Sequence, residues 1–262
     1  MGLTQEQGDH ITNLLCEQID RKLAAHSPES VNMPFHVRLL GKDRMAIFSF
    51  IQSINTMLGT SVFEQVAVIT ALPHFKKVVR QSEHLEGRIS SKAQILIQEI
   101  IDDIKTTQSI PDKSAEIRRI MQISSHGEIK NIKKPRFDLF LLSHDGHEYY
   151  FEIKSAKPNV SQIAEFKRML LEWVAVRSTA QPTLEPDQIH TVLAIPYNPY
   201  EPNPYNRWTF RGMFDFPHEL MVAEEFWNFL GGDGAYSDIL NAFEQAGIRM
   251  RSEIDAKFST FL

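Results

Sequence analysis

The 262-residue chain holds a single cysteine, Cys16, which excludes a disulfide framework and a cysteine-rich zinc site and fits a reducing cytoplasm. Its ten histidines show no His-x-x-x-His spacing on a credible helix, so no zinc motif is present. No apolar run approaches a membrane span, and no basic region followed by an apolar segment opens the chain; a membrane partner is not expected. Internal repeats and low-complexity tracts are absent too. An excess of positive charge is also missing. The net charge of −5 does not advertise a nucleic-acid binder, although cations cluster locally at Lys130, Lys133, Lys134 and Arg136, with Lys157 further on. What is there, 42% hydrophobic and 23% charged residues, is ordinary for a globular chain able to bury a sizeable core. One domain over 1–262 is expected, with 1–40 as a helical N-terminal arm.

The informative stretch runs from Pro135 to Lys154. Two apolar runs are broken by Asp145-Gly146, a strong hairpin signal. Asp138, Glu152 and Lys154 fall inside these runs, where ionised groups are costly unless paired or bound to a metal. A two-residue turn would pair Asp138 with Ile153 and separate the acids by face. A three-residue loop, His144-Asp145-Gly146, puts Gly146 where a left-handed residue is wanted and pairs Asp138 with Glu152. The second register gathers Phe137, Leu139, Leu141, Tyr149, Phe151 and Ile153 on a core face. It places Asp138, Glu152 and Lys154 together on the other, and it is the one we adopt. Two carboxylates that close repel each other, and a hard cation such as Mg²⁺ offsets the charge. Alanine at either acid is expected to abolish activity and, by relieving this repulsion, to raise stability.

Helical periodicity covers much of the remainder. One helix carries Ile11, Leu14, Leu15, Ile19 and Leu23, and a second runs from Ala46 to Leu58 and stops at Gly59. A third opens at Thr60-Ser61 and ends near Leu72-Pro73. Within it, Glu64 reads either as the acid of a capping box with Ser61 or as a third acidic site residue. Further helices are expected over Ile95–Ile104 (capped by Ser90 or Ser91), 112–123, 161–177, 218–230 and 236–246, and a buried strand over 191–195. The segment 196–216 is rich in proline, tyrosine and asparagine, too irregular for a helix or strand and too aromatic for disorder. Asn198, Arg207 and Arg211 within it are residue types that read base edges, whereas a proline-stiffened loop packed on the core is the plainer reading.

Asp138 followed by Glu152-Ile153-Lys154 on the next strand resembles the PD-(D/E)xK nuclease superfamily. The Glu-x-Lys half fits literally; in the other half Arg136 and Phe137 separate Pro135 from Asp138. Four stretches together resemble type II restriction endonucleases of the MjaII/TdeIII group. They are Gly59-Thr-Ser-Val-Phe-Glu64, Phe151-Glu-Ile-Lys-Ser-Ala-Lys-Pro-Asn159, Tyr197-Asn-Pro-Tyr200 and Phe226-Trp-Asn-Phe-Leu-Gly-Gly-Asp-Gly-Ala-Tyr236. The resemblance implies an α/β fold, a central mixed sheet flanked by helices with helix-rich N- and C-terminal parts. It also implies Mg²⁺-dependent cleavage of double-stranded DNA at a short palindrome of GG–N–CC type, by a homodimer paired with a DNA methyltransferase. Asp138, Glu152 and the Ile153 carbonyl, with Glu64, would then hold Mg²⁺, and Lys154 would position or help deprotonate water. Lys133, Lys134, Arg136 and Lys157 would meet DNA beside Asn198, Arg207 and Arg211. A repair or structure-selective nuclease of the same superfamily, or a non-catalytic DNA-binding module, are the alternatives.

Overall fold

A computed structural model describes residues 2–27, 33–83, 85–205, 210 and 212–261. In chain order it begins with helices α1 (Gln5–Ala25), α2 (Pro34–Leu40), α3 (Lys42–Met57) and α4 (Phe63–Ala71). Strands β1 (Lys77–Ser82) and β2 (Arg88–Ser90), helices α5 (Ser91–Lys105) and α6 (Lys113–Ile123) and strand β3 (Ile129–Asn131) follow. The hairpin β4 (Phe137–Leu142) and β5 (Glu148–Ile153) leads to α7 (Ile163–Ala180) and β6 (Ile189–Ile195). The chain closes with α8 (Phe216–Glu219), β7 (Leu220–Val222), α9 (Glu224–Gly231), α10 (Ala235–Arg249) and α11 (Arg251–Ser259). Two compact units result, Met1–Thr70 with Leu230–Leu262, and Ala71–Phe229.

The first unit is helical. Thr4 and Gln7 form a reciprocal capping box at the start of α1, satisfying N–H groups that a helix end leaves free. Ile11, Leu15 and Thr12 of α1 are buried along α10, where the Thr12 hydroxyl donates to the Gly8 carbonyl at 2.9 Å. Phe50 of α3 meets Phe258 of α11 edge-on at 5.4 Å. Gly59 does not stop a helix, contrary to expectation. Residues Leu58–Val62 form a π-helical turn that joins α3 to α4 without a break. Glycine is costly in a helix, not forbidden, and the extra residue of the π turn absorbs it. The resulting helix, Lys42–Ala71, is long and apolar enough by composition to cross a membrane, at mean hydropathy 1.2, which corrects the expectation that no run comes close. Val62, Val66, Ala67 and Ile69 within it are buried, although only 28% of its apolar window is.

The second unit is a mixed five-stranded sheet of order β1-β4-β5-β6-β7, covered by helices. β1, β4 and β5 pair antiparallel, and β5, β6 and β7 pair parallel. The α5–α7 layer packs Ile97, Ile101, Leu170 and Trp173 against Phe140, Tyr150, Leu193 and Ile195 of the sheet. Ile101 is fully buried, so its truncation to alanine costs about 2–5 kcal/mol. Ser90 caps α5, accepting from the Lys92 and Ala93 N–H groups. Leu139, Leu141, Phe151 and Ala194 are equally buried on the opposite face, where the Phe226 ring meets Phe151 at 5.6 Å, tilted by 56°. The sheet therefore has two buried faces rather than one. Phe137 also departs from expectation: it meets Trp173 at 4.8 Å, in the same core as Phe140. Phe137 pairs with Ser82 of β1, whereas pairing with β5 starts only at Leu139.

The expected helix over 218–230 is instead α8, β7 and α9. Ala223 breaks it with φ of 49°, and Leu220–Val222 add a parallel edge strand to β6. Four buried charges hold α8 in place. Lys167 Nζ lies 2.5 Å from Glu116 Oε2 and 2.6 Å from Glu219 Oε2, and Lys113 Nζ lies 3.1 Å from Glu219 Oε1. Burial pushes the Glu219 carboxyl up, but the ammonium groups of Lys113 and Lys167 outweigh it and hold it low. Burial lowers Lys113.

Candidate active site

The hairpin adopts the three-residue loop. The Ser143 N–H donates to the His147 carbonyl at 2.9 Å, and Gly146 takes φ of 93°, a conformation few other residues adopt cheaply. Leu139 pairs with Phe151, the register the three-residue loop demands, and Asp138 and Glu152 lie one step beyond that last pair. Here the ladder changes character. The Ile153 N–H donates to Asp138 Oδ2 at 2.8 Å. Lys154 continues the pairing with β6, its N–H donating to the Ala194 carbonyl at 2.9 Å.

Lys154 Nζ lies 3.9 Å from Asp138 Oδ2 and forms a closer ion pair with Glu152 Oε1. The three side chains are 21% (Asp138), 13% (Glu152) and 32% (Lys154) exposed, neither sealed nor freely solvated. The Lys154 ammonium also sits 5.9 Å from the Phe166 ring centroid on α7. Sequence periodicity reads Phe166 as core alone; its place beneath the lysine becomes visible only once α7 lies across the sheet.

The ammonium is the counter-cation of two carboxylates that would otherwise repel, and this converging oxygen pair suits a hard divalent cation. Among the described residues no group of three or more His, Cys, Asp or Glu side chains is placed to hold a metal ion. Open coordination by two carboxylates is the arrangement Mg²⁺ favours.

Glu64 lies in the helical unit, 4% exposed on α4. Because the backbone is already helical through the preceding turn, Ser61 begins no helix and the capping-box reading falls. The basic residues before β4 are exposed. Lys134 pairs loosely with Glu86 at 3.5 Å, Arg136 donates to the Gln81 amide oxygen at 2.6 Å, and Lys133 faces solvent. Gly87 lets the strand leading to them pass closely, since a Cβ there would meet the Ile132 carbonyl at 2.2 Å.

Beyond β6 the irregular segment is tied down by its own side chains. Asn198 accepts from the Tyr200 N–H at 3.0 Å and donates to the Asn203 carbonyl at 2.7 Å, which commits its amide to the loop. The Tyr205 hydroxyl donates to the Ala156 carbonyl at 2.9 Å, joining this loop to the turn that follows Lys154. Lys157 stands over Tyr200, 5.4 Å from its centroid. The buried Trp227 indole donates to the Pro196 carbonyl at 2.8 Å, which anchors the end of β6 and gives the Phe226-Trp motif a physical role the sequence did not disclose. Arg207 and Arg211 lie outside the described residues.

Known proteins point the same way. Residues 3–247 match the family model described as type II restriction endonuclease, HinfI. The chain is 30% identical over 245 residues to the type II restriction enzyme HgiCII of Herpetosiphon aurantiacus, covering 91% of this chain and 86% of that one. HgiEI of the same organism is 27% identical over 92% of this chain and 86% of its own. The type II restriction enzyme MjaII of Methanocaldococcus jannaschii is 25% identical over 77% of this chain and 59% of that one. An α/β sheet built this way, with a match over nearly its whole length, makes the chain a member of the HinfI family of type II restriction endonucleases.

Proposed function

We propose that this chain cuts double-stranded DNA at a short palindrome of GG–N–CC type by Mg²⁺-dependent phosphodiester hydrolysis. In this reading 1–262 works as one nuclease domain in a cytoplasmic homodimer, partnered by a DNA methyltransferase. The observation that carries the proposal is the convergence of Asp138, Glu152 and Lys154 on one face of the hairpin.

Asp138, Glu152 and the Ile153 carbonyl would hold Mg²⁺, and Glu64 is kept as a candidate further acid to be tested by substitution. Bound there, the ion would acidify a coordinated water and stabilise charge on phosphate oxygens. Lys154 would position that water or help deprotonate it, with the Phe166 ring centroid 5.9 Å from its ammonium. The exposed Lys133, Lys134, Arg136 and Lys157 supply phosphate contacts, which position the duplex without reading it. Base reading falls to the 196–216 segment, where Arg207 and Arg211 are suited to guanine and Asn198 shapes the loop.

Incubating plasmid DNA with the protein and Mg²⁺, then sequencing the fragment ends, tests this. Discrete fragments ending at one palindromic sequence, and none with EDTA, are expected. A random smear or intact plasmid would overturn the reading.

A further inference from the structure

Strand β5 delivers Lys154 to the site and then ends. The Lys154 N–H still bonds to the Ala194 carbonyl of β6, but from Ser155 to Asn159 the backbone follows neither ladder nor helix. A site side chain is only as well placed as the backbone that supports it. Ala156 lies in this turn and is 2% exposed, so its carbonyl needs a partner away from water. That partner is the Tyr205 hydroxyl, which donates to it at 2.9 Å. One residue further on, the Lys157 ammonium lies 5.4 Å from the Tyr200 ring centroid, and the Tyr200 and Tyr205 rings are 5.9 Å apart.

Both tyrosines are themselves held. Asn198 bonds to the Tyr200 N–H and the Asn203 carbonyl, and the Asn203 N–H donates to the Tyr200 carbonyl at 2.8 Å. The Tyr205 ring lies 6.3 Å from that of Phe210, which is fully buried. The turn after Lys154 is thus tied to a firm support rather than to a loose one.

We propose that Tyr205 is a positioning residue for Lys154, acting through the Ala156 carbonyl to fix the end of β5 where the ammonium meets Glu152 and Asp138. A tie two residues beyond the lysine sets the direction in which its side chain leaves the strand. Small errors there grow along a long, flexible side chain, and misplacement of the reacting groups is costly in rate. The rival role for this bond is bracing of the loop alone. Against it, the loop already closes on the Asn198 amide and is pinned at Pro196 by the Trp227 indole. The proposal rests on the reading of Lys154 as the residue that positions water.

Single-turnover cleavage of a duplex carrying the cut site, by the full chain with Mg²⁺, tests it. Tyr205→Phe keeps the ring and deletes the hydroxyl, and should slow cutting roughly 10- to 100-fold. Binding of the same duplex with Ca²⁺ in place of Mg²⁺ should be unchanged. Tyr150→Phe deletes a hydroxyl bonded to Glu148 at the far end of β5, and should cut at the wild-type rate. In a Lys154→Met background Tyr205→Phe should slow cutting no further, because residues that act as one unit are not additive. Carbon NMR of lysine-labelled protein without metal gives a readout that needs no activity. The Lys154 side-chain signal, found by its loss in Lys154→Met, should move in Tyr205→Phe and stay in place in Tyr150→Phe. An unaltered rate in Tyr205→Phe, an additive double variant, an equal loss in Tyr150→Phe or an unmoved Lys154 signal each overturns the proposal and leaves the nuclease reading standing. A wild type that cuts no DNA sinks the nuclease reading instead, and the Lys154 signal alone then decides the role of Tyr205.

Discussion

The Ile153 N–H is bonded not to a strand carbonyl but to the Asp138 carboxylate, 2.8 Å away. Asp138 thus closes the β-ladder as well as carrying charge. Its two roles separate by substitution. Asp138→Asn keeps an oxygen for Ile153 and should retain most of the stability while losing cleavage. Asp138→Ala strands a buried N–H and should cost about 1–3 kcal/mol in urea unfolding. The gain in stability expected from relieving like-charge repulsion is not to be looked for, because Lys154 already neutralises the pair.

Lys154→Met removes the ammonium and keeps the length of the side chain. Cleavage should fall roughly 10²- to 10⁴-fold, the usual range for loss of an acid–base or water-positioning group. Ca²⁺, which binds without supporting turnover in this proposal, should bind at least as tightly, since an internal competitor for the carboxylates is gone. Calorimetry showing much weaker Ca²⁺ binding would make Lys154 part of the metal site's architecture instead.

With the capping reading removed, Glu64→Gln becomes a direct test of the third acid. Helicity should be unchanged, and Mg²⁺-dependent cleavage should drop sharply or demand more Mg²⁺. A fully active variant would return Glu64 to a packing role.

A pH effect comes from the other end of the sheet. His147 Nδ1 and His190 Nε2 lie 3.0 Å apart, and His190 stacks on Tyr149. Burial, aided by the charge of His147, lowers His190 from 6.5 to about 4. The unfolded chain takes up this proton first as pH falls. Stability from His190 is therefore whole above pH 6.5 and is lost progressively down to about pH 4, by about 1–2 kcal/mol after solvent screening of a partly exposed ring. His190→Gln should flatten that part of a stability–pH curve measured by urea unfolding.

Lys167→Met deletes one charge from a sealed group of four. It should destabilise by about 3–5 kcal/mol, because Glu116 and Glu219 are left facing each other without it. An unfolding midpoint that barely moves would mean water reaches this cluster.

The sequence discloses the hairpin register because Gly146, the alternation of aliphatic residues and the positions of two acids all demand the same loop. It discloses α5, α6 and α7 because each carries one long apolar stripe. β1 escapes notice since Lys77–Ser82 offers only Val78 and Val79 among polar residues, and β2 and β3 are three residues each. β7 is hidden inside a segment whose periodicity reads as helix, and only the left-handed Ala223 reveals the break. The continuity through Gly59 has no local signal at all. At the site, the charged residues are legible one by one, whereas Phe166 and Trp227 take their roles from elements that meet only in the folded chain.

The four buried charges bear on how this lineage is free to vary. Lys113, Glu116, Lys167 and Glu219 come from three separate stretches of the chain, yet every one of them is neutralised by the others. A single replacement strands a charge, while an apolar set of matching volume in place of all four is tolerated or even favoured. Descent between those two states has no gentle first step. The quartet should therefore change only as a block: replacing all four by apolar residues of matching volume should fold where Lys167→Met alone is destabilised.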